Sequence, residues 1–293
     1  MQVQTQTAAA PTTIAPFKVD PSRGSSDMSV SQQWMSRPHD QRYLSLDALH
    51  GALKARYEGA WESRADTKKV ELFGSETKLH DLSLGITGCL TGSDVQQVIE
   101  ASPTHHAFGQ LASLAKAPAG FLRELPSPLV ADALNWRLRF AREVEEIKMF
   151  GGADALWAAT GPDYGRIPDF ECVEAVRQIA GSGRGEARWK IPGMLDWRTR
   201  TYDPEYPVSI DTTTLFASDR DVFVFLVDDR NPIEIGKLPD GTPDYVFRGF
   251  YLQNSEVGSR SLKVACFYLR AVCCNRILWG VENFQEIKIN HTR

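Results

Sequence analysis

The chain has 293 residues, of which 42% are apolar and 24% charged, and its formal net charge is −4. This composition fits one large or two ordinary globular domains, and the acidic balance argues against a surface coated in positive charge for duplex DNA. It leaves room for a local basic groove, because affinity for phosphates follows the local density of Lys and Arg. A membrane-spanning helix needs about 20 consecutive apolar residues, and no run in the sequence approaches that length.

Residues 1–41 are rich in Gln, Thr, Ser, Ala and Pro and have few apolar residues, which predicts a disordered N-terminal segment. The start lacks a charged stretch followed by an apolar block, so a secretory signal is not expected. Five irregularly spaced cysteines do not form a disulfide framework. We therefore expect a cytoplasmic protein without a bound cofactor.

Residues 42–180 are predicted to form a mainly helical subdomain. Ser45 is the predicted N-cap of a helix whose apolar face carries Leu46, Leu49 and Leu53. Prolines then start or end three short helices between residues 103 and 142, and a strand and one more helix follow within 155–180. A DNA-reading helix-turn-helix is one interpretation of the three helices, but their joints lack the usual Gly-containing turn, which favours a plain helical subdomain.

Residues 181–293 are predicted to be a β-rich subdomain. "DVFVFLVDD" indicates a buried strand, "YVFRGFYLQNSE" and "SLKVACFYLRAVCC" indicate a hairpin, and "FQEIKIN" indicates a further strand. Helices first and strands later predict an α+β fold, with a helical N-terminal subdomain packed on a predominantly antiparallel sheet in the C-terminal half. Residues 42–293 could also form one continuous domain.

Several segments in the same order resemble one known family. They are "HHAFGQLASLAKAPAGFLRELP", "WAATGPDYGRI", "RGFYLQNSEVGSRSLKVACFYLRAVCCNRILWG" and "EIKINHT". Together they resemble the phage/plasmid-like domain-of-unknown-function family 932 (DUF932), over roughly residues 42–293. The resemblance implies a protein of mobile genetic elements with no established general activity. It also implies a helical tail after His291 and Thr292, whereas this sequence ends at Arg293.

The cysteines are candidates for a metal or thiol site. Cys273 and Cys274 are adjacent and would point to opposite faces of a strand, so they cannot share one ion without a kink. Cys266 shares a face with Cys274 but lies about 27 Å away along the strand, and Cys89 and Cys172 have no neighbouring partner. Buried free thiols are therefore favoured, with a thiol paired to His291 on the next strand as the alternative.

Two aspartates form a weak candidate metal site. Asp219 and Asp221 flank Arg220 and share a face in extended chain, where they could hold Mg²⁺, with Asp228 and Asp229 offering oxygens at the far end of the strand. Ordinary solvated turn carboxylates are the favoured alternative. The "GSGRG" loop lacks the Lys-Ser/Thr of a phosphate-binding loop and is interpreted as a linker.

One segment interleaves cations with aromatic residues, the combination that single-strand binding requires. It comprises Arg184, Arg188, Trp189, Lys190, Trp197, Arg198, Arg200 and Tyr202. The alternative is that the tryptophans are core residues and the arginines a solvated rim. A second candidate contact is the "NSEVGSR" hairpin tip, with Arg260 and Lys263 beside it, which otherwise is a charged exposed loop.

The sequence thus leaves two leading functions. The first is a mobile-element accessory protein that binds or anneals single-stranded nucleic acid. The alternative is a non-catalytic module that binds other phage or plasmid proteins or a second copy of itself. A metal- or Cys/His-dependent enzyme comes third, because no complete nucleophile, base and orienting set is found. No membrane partner is expected.

Overall fold

The computed structural model describes residues 24–27, 33, 36–75, 82–90, 96–140, 145–192, 195–196, 201–202, 208–270, 278–281 and 286–291. The helices are α1 (Leu46–Glu58), α2 (His105–Leu114), α3 (Ala119–Leu122), α4 (Ser127–Phe140) and α5 (Asp169–Ala180). The strands up to residue 160 are β1 (Gly24–Asp27), β2 (Arg42–Tyr43), β3 (Ala60–Asp66), β4 (Val70–Gly74), β5 (Leu82–Leu90), β6 (Gln96–Pro103), β7 (Glu146–Gly152) and β8 (Ala155–Thr160). The later strands are β9 (Trp189–Lys190), β10 (Leu195–Asp196), β11 (Thr201–Tyr202), β12 (Leu215–Ala217), β13 (Val222–Lys237), β14 (Pro243–Asn254), β15 (Leu262–Arg270), β16 (Leu278–Val281) and β17 (Glu286–Ile289).

Nine of the described strands form one antiparallel sheet, mostly from the C-terminal half. Its main path is β1-β16-β15-β14-β13-β12-β2, with β17 beside β15 and β9 beside β13. The predicted strand "DVFVFLVDD" is the start of β13, and the predicted hairpin is β14–β15. The α+β class and the antiparallel sheet are confirmed.

Both faces of β13 are buried over its first six residues, Val222 to Val227, which explains the continuous apolar sequence there. Successive side chains alternate between faces, so Val222 and Val224 pack with the apolar stripe of α1 and with α5. Phe223 and Phe225 belong to the core on the opposite face. The predicted helix with Ser45 as its N-cap is confirmed as α1, and the Ser45 hydroxyl accepts from the Ala48 backbone N–H.

The region predicted to be mainly helical also contains a sheet of six described strands. Its order is β3-β7-β8-β6-β5-β4, and an additional β3–β5 pairing closes it into a barrel. Every pairing is antiparallel except β6–β8, which is parallel. The prediction missed β5 and β6 because "LSLGITGCL" and "QQVIEASP" are rich in Gly, Ser and Gln, which have little strand propensity; pairing with neighbours stabilises these strands.

The helices α2, α3 and α4 lie between β6 and β7 in the chain and cover the barrel. Leu111, Leu134 and Leu138 are fully buried against strand residues such as Ile147. The side-chain amide of Asn135 accepts from the Leu72 N–H and donates to the Leu72 carbonyl, both at 2.9 Å. Asn135 therefore satisfies backbone groups of β4 and fixes α4 beside it.

Part of the segment predicted to be disordered is ordered. Gly24–Asp27 pairs with Leu278–Val281 in the large sheet, and His39–Gln41 forms a 3₁₀ turn. Arg37 binds both carboxylate oxygens of Asp221, at 2.7 and 2.8 Å. Composition alone missed this order because a strand pairing and an ion pair hold the segment to distant parts of the chain. Residues 1–23, 28–32 and 34–35 lie outside the described residues.

In the described part of the chain, no helix is both long and apolar enough to cross a membrane.

Candidate functional site

An open polar cleft of about 750 Å³ lies where the segment around Arg37 meets the β12–β13 turn and the β14–β15 loop. Its described walls bring together Arg37, Arg220 and Arg260 with Asp219 and Asp221. Three guanidinium groups against two carboxylates leave one net positive charge. The cleft therefore suits an anion better than a cation.

Asp221 is the buried centre of this cleft. Besides the bidentate contact with Arg37, it lies 2.9 Å from Arg260 Nε and accepts from the Ser218 hydroxyl at 2.7 Å. Burial raises the pKa of Asp221, but the hydrogen bonds and charge of Arg37, helped by Ser218 and Arg260, outweigh burial and leave this pKa below its ordinary value. Asp221 is thus a stably ionised anchor for two arginines.

The two aspartates of the proposed magnesium site have different environments. Asp219 is exposed, whereas Asp221 is buried and its oxygens are engaged by arginines and Ser218. Both lie in the turn between β12 and β13 and line the cleft, but the oxygens of Asp221 are already engaged and are not available to an ion. Among the described residues, no group of three or more His, Cys, Asp or Glu could hold a metal ion.

Two arginines of the cleft reach solvent. The side chains of Arg220 and Arg260 are 46% and 41% exposed. The hydroxyls of Ser255 and Ser259 donate to the Arg220 carbonyl at 2.5 and 2.9 Å, which fixes its backbone. The Arg220 guanidinium is consequently held on an ordered backbone, with its Nη2 3.4 Å from His105 Nδ1, and it remains partly exposed to a ligand.

The "NSEVGSR" loop is not the exposed tip that the sequence predicted. Its first four residues, Asn254 to Val257, are buried. The Val257 carbonyl contacts His106 Nε2 at 3.1 Å and accepts from the Gln110 amide at 2.8 Å, so the loop is inserted against α2. Gly258 has φ +83°, a conformation that favours glycine, and it turns the chain back so that Arg260 emerges at the cleft.

A buried pair of carboxyl groups supports this loop. Glu256 Oε2 accepts from the Asp169 N–H at 3.3 Å, and Asp169 Oδ1 accepts from the Asn254 amide at 2.8 Å. Burial raises the pKa of both Asp169 and Glu256, and the charge of Glu256 raises that of Asp169 further. The pair joins the first turn of α5 to the loop that carries Arg260.

Arg56 of α1 contacts the same region, although no motif in the sequence pointed to it. It donates to the carbonyls of Ser218 and Asp219, both at 3.0 Å, and lies 3.8 Å from Glu256 Oε1. Its guanidinium stacks 4.5 Å from the centre of the Trp157 ring on the barrel. The sequence did carry one indication: Arg56 is three residues after Leu53, so it lies on the same face of α1 as the buried leucines.

Two of the three described cations of the basic-aromatic segment are paired with acids. Arg188 Nε lies 3.1 Å from Asp228, and Lys190 Nζ donates to Asp229 at 2.9 Å, with Lys190 and Asp229 both buried. Arg184 donates to the Leu44 carbonyl. Asp228 and Asp229, candidate metal ligands in the sequence, therefore pair with Arg188 and Lys190.

The aromatic residues of this segment are only partly described. Trp189 is half-buried and packs edge-on against Phe250, with ring centres 5.1 Å apart, so it is in part a core residue. Trp197, Arg198 and Arg200 lie outside the described residues, and Tyr202 is described only as backbone of β11, paired with β10.

Lys263, the other cation predicted beside the hairpin tip, lies on β15. Its ammonium group is 2.6 Å from Glu286 on β17 and 5.7 Å from the centre of the Tyr251 ring. It does not line the cleft, whereas Arg260 does.

Of the two cysteines whose side chains are described, Cys172 is buried as predicted, whereas Cys266 is exposed, so the prediction of a buried thiol is wrong for Cys266. Burial raises the pKa of Cys172 to about 12, which makes it a poor nucleophile. His291 stacks on Tyr164, with ring centres 5.3 Å apart, and its Nδ1 is 3.1 Å from the Gly165 carbonyl. Burial lowers its pKa. Cys273 and Cys274 lie outside the described residues.

The barrel defines a structural class. If β3 and its continuation β4 are counted as one strand, the barrel has five strands: β3/β4, β5, β6, β7 and β8 in chain order. Around the barrel the order is β3/β4, β5, β6, β8 and β7, and β7 pairs again with β3. A helical segment lies between the third and fourth strands, and the third and fifth are parallel. This arrangement is that of the OB fold, a five-stranded Greek-key barrel, although fold alone does not establish function.

Searches of protein-family models, curated proteins and solved structures found no match for this chain.

Proposed function

We propose that the protein binds single-stranded nucleic acid as a cytoplasmic accessory protein of a mobile element, and that the arginine cleft contacts its phosphates. The observation that carries this proposal is the pair of solvent-exposed guanidinium groups, Arg220 and Arg260, on an ordered backbone in an open cleft with net positive charge. Guanidinium groups match the geometry of phosphate oxygens and bind them with two hydrogen bonds.

The cleft is a better site than the two other candidates. The basic-aromatic segment has Arg188 and Lys190 committed to acids. In the barrel, the second and third strands usually carry the bases in this fold class, yet "LSLGITGCL" and "QQVIEASP" contain no aromatic residue, Lys or Arg. The OB-type barrel and the resemblance to DUF932 are supporting analogies.

The described walls of the cleft include no aromatic side chain. Base stacking, at roughly 1–3 kcal/mol per base, therefore makes no contribution from these residues. Binding would come from phosphate contacts, which are insensitive to sequence and weaken as salt rises.

The double variant Arg220→Ala with Arg260→Ala should bind a fluorescent oligothymidylate about tenfold or more weakly at low salt, since each lost charged hydrogen bond costs on the order of 1 kcal/mol. Its log–log salt slope should fall by roughly 1.4, because each single-strand phosphate contact contributes about 0.7. Fluorescence anisotropy at several salt concentrations measures both quantities.

Lys54→Ala with Arg64→Ala is the matched control, because it removes two exposed cations that do not line the cleft. A third double variant, Arg184→Ala with Arg188→Ala, tests the basic-aromatic segment. Absence of binding by the wild-type protein at low salt rejects the function, whereas equal loss in the control rejects the cleft as the site.

A protein-interaction module is the second candidate. It is favoured by large apolar side chains on the exposed face of α4, above all Trp136, which is 67% exposed. Tryptophan is enriched among the residues that dominate protein–protein binding.

A further inference from the structure

We propose that two copies of this chain associate through the exposed face of α4, in antiparallel contact about a two-fold axis. Leu129, Trp136 and Phe140 are 55%, 67% and 58% exposed, and exposed Ala133 lies between them. Positions 129, 133, 136 and 140 follow the four-three-four spacing of a single helical stripe. The opposite face of α4 is already buried in the barrel core.

The stripe is complementary to itself. If two α4 helices pack antiparallel about a two-fold axis, the same patch meets itself. With Leu129 opposite Phe140 of the second copy, Ala133 falls opposite Trp136 of the second copy. A small residue then faces the largest one at both central positions, so the bulky rings have room.

The charges beside the stripe are complementary in the same arrangement. Asp132 and Arg139 are exposed and lie seven residues apart on one flank of the stripe. In an antiparallel pair each flank meets its own copy, so Asp132 approaches Arg139 of the second copy, and the contact occurs twice. A parallel pair in register would instead place Trp136 against Trp136, so the fit of large against small side chains favours the antiparallel orientation.

The aromatic part of the patch is already assembled within one chain. The Trp136 and Phe140 rings contact each other, with centres 4.7 Å apart and planes at 52°, so little side-chain entropy is lost on association. A single helix pair buries less than the standard interface of about 1,200–2,000 Å². We therefore expect a dimer that dissociates in the range of tens of micromolar.

Sedimentation equilibrium of the full chain, from about 1 to about 200 µM, tests the proposal. The wild-type protein should pass from monomer to dimer, and Trp136→Ala should weaken association by tenfold or more. Trp136 is exposed, so circular dichroism should report an unchanged fold. A wild-type protein that stays monomeric over this range, or a dimer that Trp136→Ala leaves intact, overturns the proposal.

A charge exchange tests the orientation. Asp132→Arg alone and Arg139→Asp alone should each weaken the dimer, because each places like charges together. The two changes combined should restore association to within about threefold of wild type, since the pair is then reversed. Failure of the combined variant to recover rejects the antiparallel contact. Neither measurement uses an oligonucleotide, so dimer formation is tested independently of the proposed nucleic-acid binding.

Discussion

Replacement of Gly151 by alanine is expected to destabilise the protein by about 3 kcal/mol or more. The glycine lies in the β7–β8 hairpin of the barrel, paired with Leu156. A Cβ atom there would lie 2.2 Å from the Ala155 carbonyl oxygen and 2.5 Å from Cζ2 of Trp61. The oxygen belongs to the backbone and cannot rotate away, so relief requires a shift of the hairpin. Urea denaturation measures the change in the free energy of unfolding.

Gly51→Ala is the matched control. Gly51 lies inside α1, is exposed, and has no atom within 4 Å of a built Cβ. Alanine restricts the unfolded chain and favours the helix, so this variant should be more stable by about 0.5–1 kcal/mol. If Gly151→Ala is as stable as wild type, then β7 and β8 do not approach each other as closely at this hairpin as the structure has them.

Asp169→Asn is expected to raise stability at neutral pH by about 1–3 kcal/mol and to flatten its pH dependence. Burial, and next the charge of Glu256, raise the pKa of Asp169 well above 3.8. The folded protein therefore binds a proton that the unfolded chain releases, and stability falls as pH rises from about 4 through the folded-state pKa. The neutral amide removes this loss.

The amide introduced at position 169 also has a partner. Asn254 Oδ1 is buried and has no hydrogen-bond partner among the described residues, while the Asn254 amide already donates to position 169. Unfolding by urea from about pH 4 to about pH 8 measures the profile. Exposed Asp163 provides the control, because Asp163→Asn should change stability by less than about 0.5 kcal/mol. A lower stability of Asp169→Asn at pH 7 with an unchanged slope contradicts the prediction.

Local patterns were sufficient for the elements that bury a regular apolar face. The leucine stripe of α1, the apolar run at the start of β13 and the β14–β15 hairpin all follow directly from periodicity. The barrel strands β5 and β6 carry no such pattern. Both pair mainly with their neighbours along the chain, β4 with β5 and β5 with β6, but their Gly, Ser and Gln residues have too little strand propensity for the pairing to be predicted from the sequence.

The candidate site shows the same division. The sequence predicted Asp219 and Asp221 as a candidate magnesium site and Arg260 as part of a hairpin tip. It did not predict that the three residues line one cleft. The contact that joins them to Arg37 spans 184 residues and starts in a segment whose composition predicts disorder. The burial of Asn254 to Val257 could not be predicted from the sequence either. The groups that hydrogen-bond with them lie far away in the chain, on α2 and just before α5.

The bidentate contact between Arg37 and Asp221 makes the N-terminal segment a structural part of the cleft. Truncation at residue 42, a natural choice from composition, would remove one wall of the cleft along with Arg37. It would leave Asp221 as a buried carboxylate with Arg260 as its remaining arginine, at a cost on the order of 3 kcal/mol. The rate of proteolysis near Arg37 would therefore measure how often the Arg37–Asp221 ion pair opens, because a protease needs this segment to be released from the cleft before it can cut.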